Sequence, residues 1–326
     1  MKRLTLYAFL LLVAAPLVSG CGRDAGVSPT SPGATSSDQQ TFSNMIDQEP
    51  ALSEGQTYET PGESDIPESY GAGGGVSASA DAWATAGDIR PVYFFRVIRE
   101  RSREIDVHIE EDTSKVVAHV AVTDHFVGSF NIVTVDSTDS GLVRHLTRKP
   151  LRDTGRFRAV FARWKRPSPD DADAPEEPMP SPDDWSRWHL VAISGRQIHS
   201  PDNTARILSI RLQIEGGLDT TIEDPLALWR FPRGLLRIPA NTKVMVTVKT
   251  QDPTDAVFLL AGWGHQRLRP MGDGFVGAFR SPYEMRLFRF GVNALDHGTL
   301  FDDQAPYDSD FWGIPARTVA PVIAQN

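Results

Sequence analysis

The chain has 326 residues, with 42 acidic side chains against 33 basic ones, a formal charge of −9 and a single cysteine. So acidic a balance excludes sequence-independent nucleic-acid binding, which depends on Lys and Arg neutralising phosphates, and it opposes adsorption to anionic lipid surfaces. One cysteine excludes an internal disulfide and any Cys-x-x-Cys site, while the length allows two ordinary domains and a linker.

At the N-terminus Lys2 and Arg3 precede an apolar run from Leu4 to Leu17. That run is shorter than the roughly 18 residues of a spanning helix, so residues 1–20 read as a signal peptide. Ser19, Gly20 and Cys21 follow at once. Basic residues, apolar run, small residues and cysteine in this order resemble the lipobox of bacterial lipoproteins. The resemblance implies cleavage before Cys21, lipidation of its thiol, and anchoring in the bacterial envelope with membrane lipid as the partner. Inner-membrane members of that family carry Asp after the cysteine. Gly22 stands there instead, so the resemblance implies the outer membrane, facing either the periplasm or the cell surface. Each buried methylene contributes about 0.8 kcal/mol, and two chains make such an anchor stable.

Residues 21–80 are rich in Ser, Thr, Pro, Gly and acids, and Arg23 is the one basic residue after Cys21 and before Arg90. Phe42, Met45, Ile46 and Tyr58 stand as isolated apolar positions. Low hydrophobicity with charge of one sign predicts a disordered tether. About 58 such residues span about 40 Å as a coil and roughly 190–210 Å when fully extended.

The first folded region is expected over residues 81–214. Asp81 caps a predicted helix in which Trp83, Ala86, Ile89, Val92, Tyr93 and Val97 recur at helical spacing, with Pro91 as a break. The period then becomes two. Ile105–Ile109, Val116–Val122, Phe126–Val135, Phe157–Trp164, Trp188–Ile193 and Ile207–Ile214 are predicted strands. Asp124-His125 reads as a turn. Residues 167–184, rich in Pro, Asp and Glu, read as a solvated insertion between two antiparallel neighbours. A helix leading into a long-stranded antiparallel sheet, closed by Trp-x-Leu-Val-x-Ile at Trp188–Ile193, is similar to the NTF2-like or cystatin-like cone folds. That resemblance implies a curved sheet, and in some members a pocket with an Asp–His or Tyr–Asp pair, which His108, His119 and His125 would line here. The alternation itself gives the competing reading, with His108 and His119 facing solvent.

The second region is expected over residues 215–320, opening after Gly216-Gly217. Leu235–Ile238, Val244–Val248, Val257–Gly262, Phe275–Phe279 and Met285–Phe290 are short predicted strands separated by Pro, Asn, Asp and Gly turns. Their spacing predicts a β-sandwich, similar to an immunoglobulin-like accessory domain. The fold class is therefore mainly β, α+β overall: a helix and curved antiparallel sheet, then a sandwich. Beyond it lie Asp302, Asp303, Asp308 and Asp310, interleaved with Phe301, Tyr307, Phe311 and Trp312. The aromatics predict a terminal segment wrapped on the sandwich edge. The carboxylates offer oxygen ligands to Ca²⁺, which takes six to eight, at a spacing unlike that of an EF-hand. Binding a partner through these aromatics is a third reading.

No Gly-x-Ser-x-Gly elbow, His-Glu-x-x-His pair, Walker loop or Gly-x-Gly-x-x-Gly run is present. His265, in Trp263-Gly264-His265, is an acid–base candidate without a recognisable partner. Paired carboxylates for glycoside hydrolysis stay open, because their separation is set by the fold. These features predict a membrane-anchored, non-catalytic binding or scaffolding protein with a protein or glycan partner. The alternative is an envelope hydrolase or isomerase acting on a glycan or small molecule in a pocket of the first region.

Overall fold

The computed structural model describes residues 35–49, 52, 92–138, 141–164, 187–214, 217–261 and 264–320. The expected signal peptide, Cys21, most of the expected tether, the start of the helix expected from residue 82 and the expected insertion at 167–184 lie outside these residues. The fold is mainly β. A helix α1 (Ser36–Gln48) precedes β1 (Val92–Glu111), β2 (Lys115–Thr138), β3 (Gly141–Trp164), β4 (His189–His199), β5 (Ile207–Gln213), β6 (Asp219–Ile222), β7 (Trp229–Arg230) and β8 (Leu236–Pro239). Then come β9 (Lys243–Thr250), β10 (Ala256–Ala261), β11 (Gly264–Arg267), β12 (Arg269–Met271), β13 (Gly274–Arg280), β14 (Leu287–Leu295), a short helix α2 (His297–Phe301) and β15 (Ser309–Val319).

Among the described residues one sheet runs β1-β2-β3-β4-β15-β14-β10-β11, with β7 added on β4 and β8 on β15; a second runs β12-β13-β9-β5-β6. The expected division at 214/215 is not where the sheets divide. β5, expected in the first region, pairs with β6 and β9, and β15 joins β4 to β14. A sandwich does form. Val244, Val246, Val248, Ile210 and Phe275 of the second sheet face Val257, Val292, Trp312 and Ile314 of the first.

β1 to β3 are 20 to 24 residues long, roughly 65–80 Å at 3.3 Å per residue. Their alternation holds one face in register. Val107 lies opposite Val120 and Val120 opposite Ala159, and Ala118 lies opposite Phe161. One end of this face forms a core with α1. The other end returns onto β10 and α2, where Phe94, Phe126, Phe130 and Leu151 meet Phe258, Leu260 and Leu300. Phe94 and Phe258 meet edge-on at 4.9 Å, so the sheet curls until its far ends share a core. The resemblance to cone folds implied a curved sheet, but not this closure onto the C-terminal strands.

Three local expectations are corrected. Val92–Val97 belong to β1 and not to a helix. Asp124-His125 sits in mid-strand in β2, with Asp124 inward and His125 outward, and not in a turn. Residues 36–48, expected as tether, form a helix. Thr35 and Asp38 close a reciprocal capping box, and Phe42, Met45 and Ile46 fall at i, i+3 and i+4 on one face. Phe42 meets Phe161 at 5.2 Å and Trp188 at 5.0 Å. Asp47 pairs with Arg103 Nη1 at 2.7 Å.

The terminal segment is corrected too. β15 is a central strand buried on both faces, and not an edge wrapping. Phe311 points to the core shared with β1–β3, while Trp312, Ile314 and Ala316 point into the sandwich. Gly291 and Gly313 lie opposite each other, and a Cβ at Gly291 would stand 2.5 Å from the Phe311 ring. The two glycines are the space this ring occupies.

Replacing Phe42 with Ala is expected to cost about 3–5 kcal/mol in urea unfolding, because a fully buried aromatic is lost between helix and sheet. It should also open residues 36–48 to protease. Unchanged stability with unchanged cleavage would contradict the docking of α1.

Candidate functional site

The histidines singled out from the sequence do not converge on a pocket. His108 and His119 face each other across β1 and β2, with side chains 52 % and 44 % exposed, and both point to Glu110 at 3.5 and 3.8 Å. His125 is 42 % exposed, 3.8 Å from Glu104. All three stand on the face opposite the cores. In β11 the backbone of His265 lies opposite Leu260; its side chain lies outside the described residues.

The C-terminal carboxylates separate into two kinds. Asp302 accepts from the Gln304 amide at 2.8 Å and Asp303 from the Thr147 hydroxyl at 3.0 Å, both at the surface. Asp308 is buried and ties down the loop after β4: it accepts from the hydroxyls of Ser200 and Thr204 and from the amides of Thr204 and Ala205. Asp310 is also buried and accepts from the Ile207 amide at 3.0 Å, Trp312 Nε1 at 3.2 Å and Gln197 Nε2 at 3.3 Å. Asp308 and Asp310 thus spend their oxygens on loop amides, hydroxyls and an indole. Among the described residues no three His, Cys, Asp or Glu side chains are grouped to hold a metal.

Two buried polar clusters were not singled out from the sequence. In the first, Tyr307 donates to Asp153 Oδ2 at 2.8 Å, receives Arg96 Nε at 3.2 Å and lies 2.6 Å from Ser309 Oγ. Arg96 also donates to Asn293 Oδ1 at 3.2 Å. Burial raises the Tyr307 hydroxyl well above the phenol range, so it remains a neutral donor. Lys149 sits beside this cluster and donates to the carbonyls of Gly298 and Asp302, satisfying acceptors at the end of α2.

In the second cluster Asp124, fully buried, accepts from Arg103 Nε at 2.8 Å and Arg101 Nη2 at 3.1 Å, with Arg196 Nη2 at 3.5 Å. The Arg196 guanidinium lies 4.6 Å over the Phe157 ring. Gly155 is opposite Asp124, and a Cβ there would meet the Phe126 ring at 3.0 Å. The signal for this cluster was present. Asp124 continues the inward series Val116, Ala118, Val120 and Val122, and Arg103 continues the series Ile109, Val107 and Ile105. A charge in an apolar series announces a buried partner.

The open feature lies elsewhere. A groove of about 420 Å³ is lined by Pro232, Arg237, Met285, Arg286, Leu287 and Arg317, with Thr318, Val319 and Ala320. It lies over the outer side of β8, β15 and the start of β14. The register of these strands sets Arg237 beside Arg317 and Arg317 beside Leu287. The inner row one residue on, Leu236, Ala316 and Phe288, packs on the sandwich core. No sequence motif marks the groove, because its arginines come from three distant segments.

Burial sets a pH dependence. Asp255 is buried with Oδ2 lacking a hydrogen bond, and burial, reinforced by Asp252, Asp296 and Asp308, pushes its carboxyl up to about 7. Burial pushes Asp310 up to about 6. A folded-state value above the unfolded one contributes stability that is complete below about pH 4 and is lost as pH rises towards 7. Asp255→Asn is therefore expected to raise Tm relative to the parent at pH 8, and to leave it near the parent value at pH 4. An equal difference at both pH values would contradict this. No protein family, curated protein or solved structure matches the chain.

Proposed function

We propose that this protein is a bacterial envelope lipoprotein, acylated at Cys21, whose folded body binds or scaffolds a partner without catalysing a reaction. The observation that carries the reading is where polar chemistry lies. Asp153, Asp308 and Asp310, with Tyr307 and the Asp124 arginines, are engaged with one another or with loop backbone. The candidate histidines stand half exposed on the outer face. An arginine-lined groove is open to ligand. The competing hydrolase or isomerase reading needs a polar pocket around His119 or His125, and those side chains point away from the cores.

Anchoring at Cys21 rests on the N-terminal pattern. No helix among the described residues is long and apolar enough to cross a membrane, and the acidic body has no general attraction to an anionic bilayer. The docked α1 changes the reach of the tether. With Ser36–Gln48 held on the sheet, residues 22–34 alone separate the acyl chains from the body, about 45 Å at full extension. The body then works close to the membrane surface.

Cys21→Ser is expected to move the protein from the outer-membrane fraction to the soluble or inner-membrane fraction, and to abolish labelling by a clickable palmitate analogue. Tm of the folded body should not change. Outer-membrane retention of the unlabelled variant would overturn the anchor.

A further inference from the structure

We infer that the groove between Arg237, Arg286 and Arg317 is a binding site for a phosphate-type oxyanion carried on a compact organic body. The inference deepens the binding reading above by naming the ligand class.

Like charges meet at this groove. Arg237 and Arg317 are nearest neighbours on the parallel strands β8 and β15, on the outward side of the row. Like charges directly opposite on adjacent strands are unfavourable. Elsewhere on the described surface some cations meet a carboxylate. Arg211 pairs with Asp219 and Lys249 with Asp273, each at 2.6 Å. Arg237, Arg286 and Arg317 have no carboxylate partner among the described residues, and no acidic residue lines the groove. Arg317 makes a 3.5 Å contact to the Pro232 carbonyl. The backbone carbonyl of Glu284, next but one to Arg286 in sequence, receives the Thr318 hydroxyl, and its carboxylate is not part of the groove lining. Three guanidiniums converge on one groove whose lining holds no carboxylate, and an anion there completes the local charge balance.

The shape and lining of the groove match the same ligand. Guanidinium groups recognise phosphate and carboxylate through paired N–H donors. The volume of about 420 Å³ falls in the range of small-molecule sites, larger than a bare ion needs. Around the arginines stand Pro232, Leu287 and Met285, the last 71 % exposed. Such a surface suits a ligand with an anionic end and a less polar body, as in a sugar phosphate or a glycerophosphate headgroup. The arginines are held from below. The Arg286 amide donates to Thr318 Oγ1 at 2.6 Å, and Leu236, Ala316 and Phe288 anchor the inner row.

The test uses the full chain purified in non-ionic detergent. Inorganic phosphate and glycerol 1-phosphate, at ionic strength matched with chloride, are expected to raise Tm by about 2–5 °C. The Arg237→Ala/Arg317→Ala variant should lose that shift while its own Tm in chloride stays at or above that of the parent, because a like-charge contact is relieved. Mixed micelles containing phosphatidylglycerol separate the sources. Protection by the micelles as well as by glycerol 1-phosphate assigns a lipid headgroup, and protection by the soluble ester alone assigns a free phosphate ester. The same shift in parent and variant, or no shift with either soluble probe, overturns the inference. A variant destabilised in chloride would also overturn it, since the arginines would then serve the fold. None of these outcomes touches the membrane fractionation of Cys21→Ser, so failure of the ligand class and failure of the lipoprotein reading remain distinct.

Discussion

The architecture depends on β15 being buried on both faces. A strand with cores on either side must alternate between them, and Ser309–Val319 does so: Phe311 enters the core shared with the long strands, and Trp312, Ile314 and Ala316 enter the sandwich. Without it, β4 and β14 would not belong to one sheet. The same strand carries Asp310 inward at its start and Arg317 outward near its end. One element therefore holds the core, fastens the loop after β4 and contributes to the groove.

Long strands create a second constraint. A sheet face of some 20 residues is too long for one core, so this one serves two, with charged groups between them. The Asp124 cluster lies at that junction, and its arginines pack against Phe126 and Phe157. A buried charge is costly unless paired and hydrogen-bonded, and here the partners come from β1, β2 and β4. Removing one partner leaves the others uncompensated, which makes the junction a strong specifier of strand register. The Tyr307–Asp153–Arg96 group does the same work where β1 and β3 meet the C-terminal segment.

Local periodicity was legible and long-range pairing was not. Lys243–Val248 alternates cleanly and is β9. The strand Gly141–Trp164 was legible only in its last third, because its inward row at Lys149 and Asp153 is polar and Pro150 interrupts it. Those polar positions make sense once Tyr307 and the end of α2 arrive to bond them. The α1 helix was hidden because one apolar turn in a polar segment resembles tether until a sheet face is there to receive Phe42 and Ile46. Asp308 and Asp310 read as metal ligands for a related reason: their amide and hydroxyl donors lie about 100 residues earlier in the chain. The histidines were legible, since alternation with core residues already turned His108 and His119 outward. The arginine groove was not, because it exists only in the register of β8, β15 and β14.

Hydrogen exchange on the amides of Phe311–Ile314 and Ala316 tests the central place of β15 most directly. A strand paired on both sides for most of its length and buried on both faces exchanges only through global unfolding, as slowly as the β9 amides at the centre of the second sheet. Exchange of these amides well before β9, at rates typical of a frayed edge, would mean that the terminal segment lies on the fold and does not build it. The single sheet described here, and the groove over it, would then have to be abandoned.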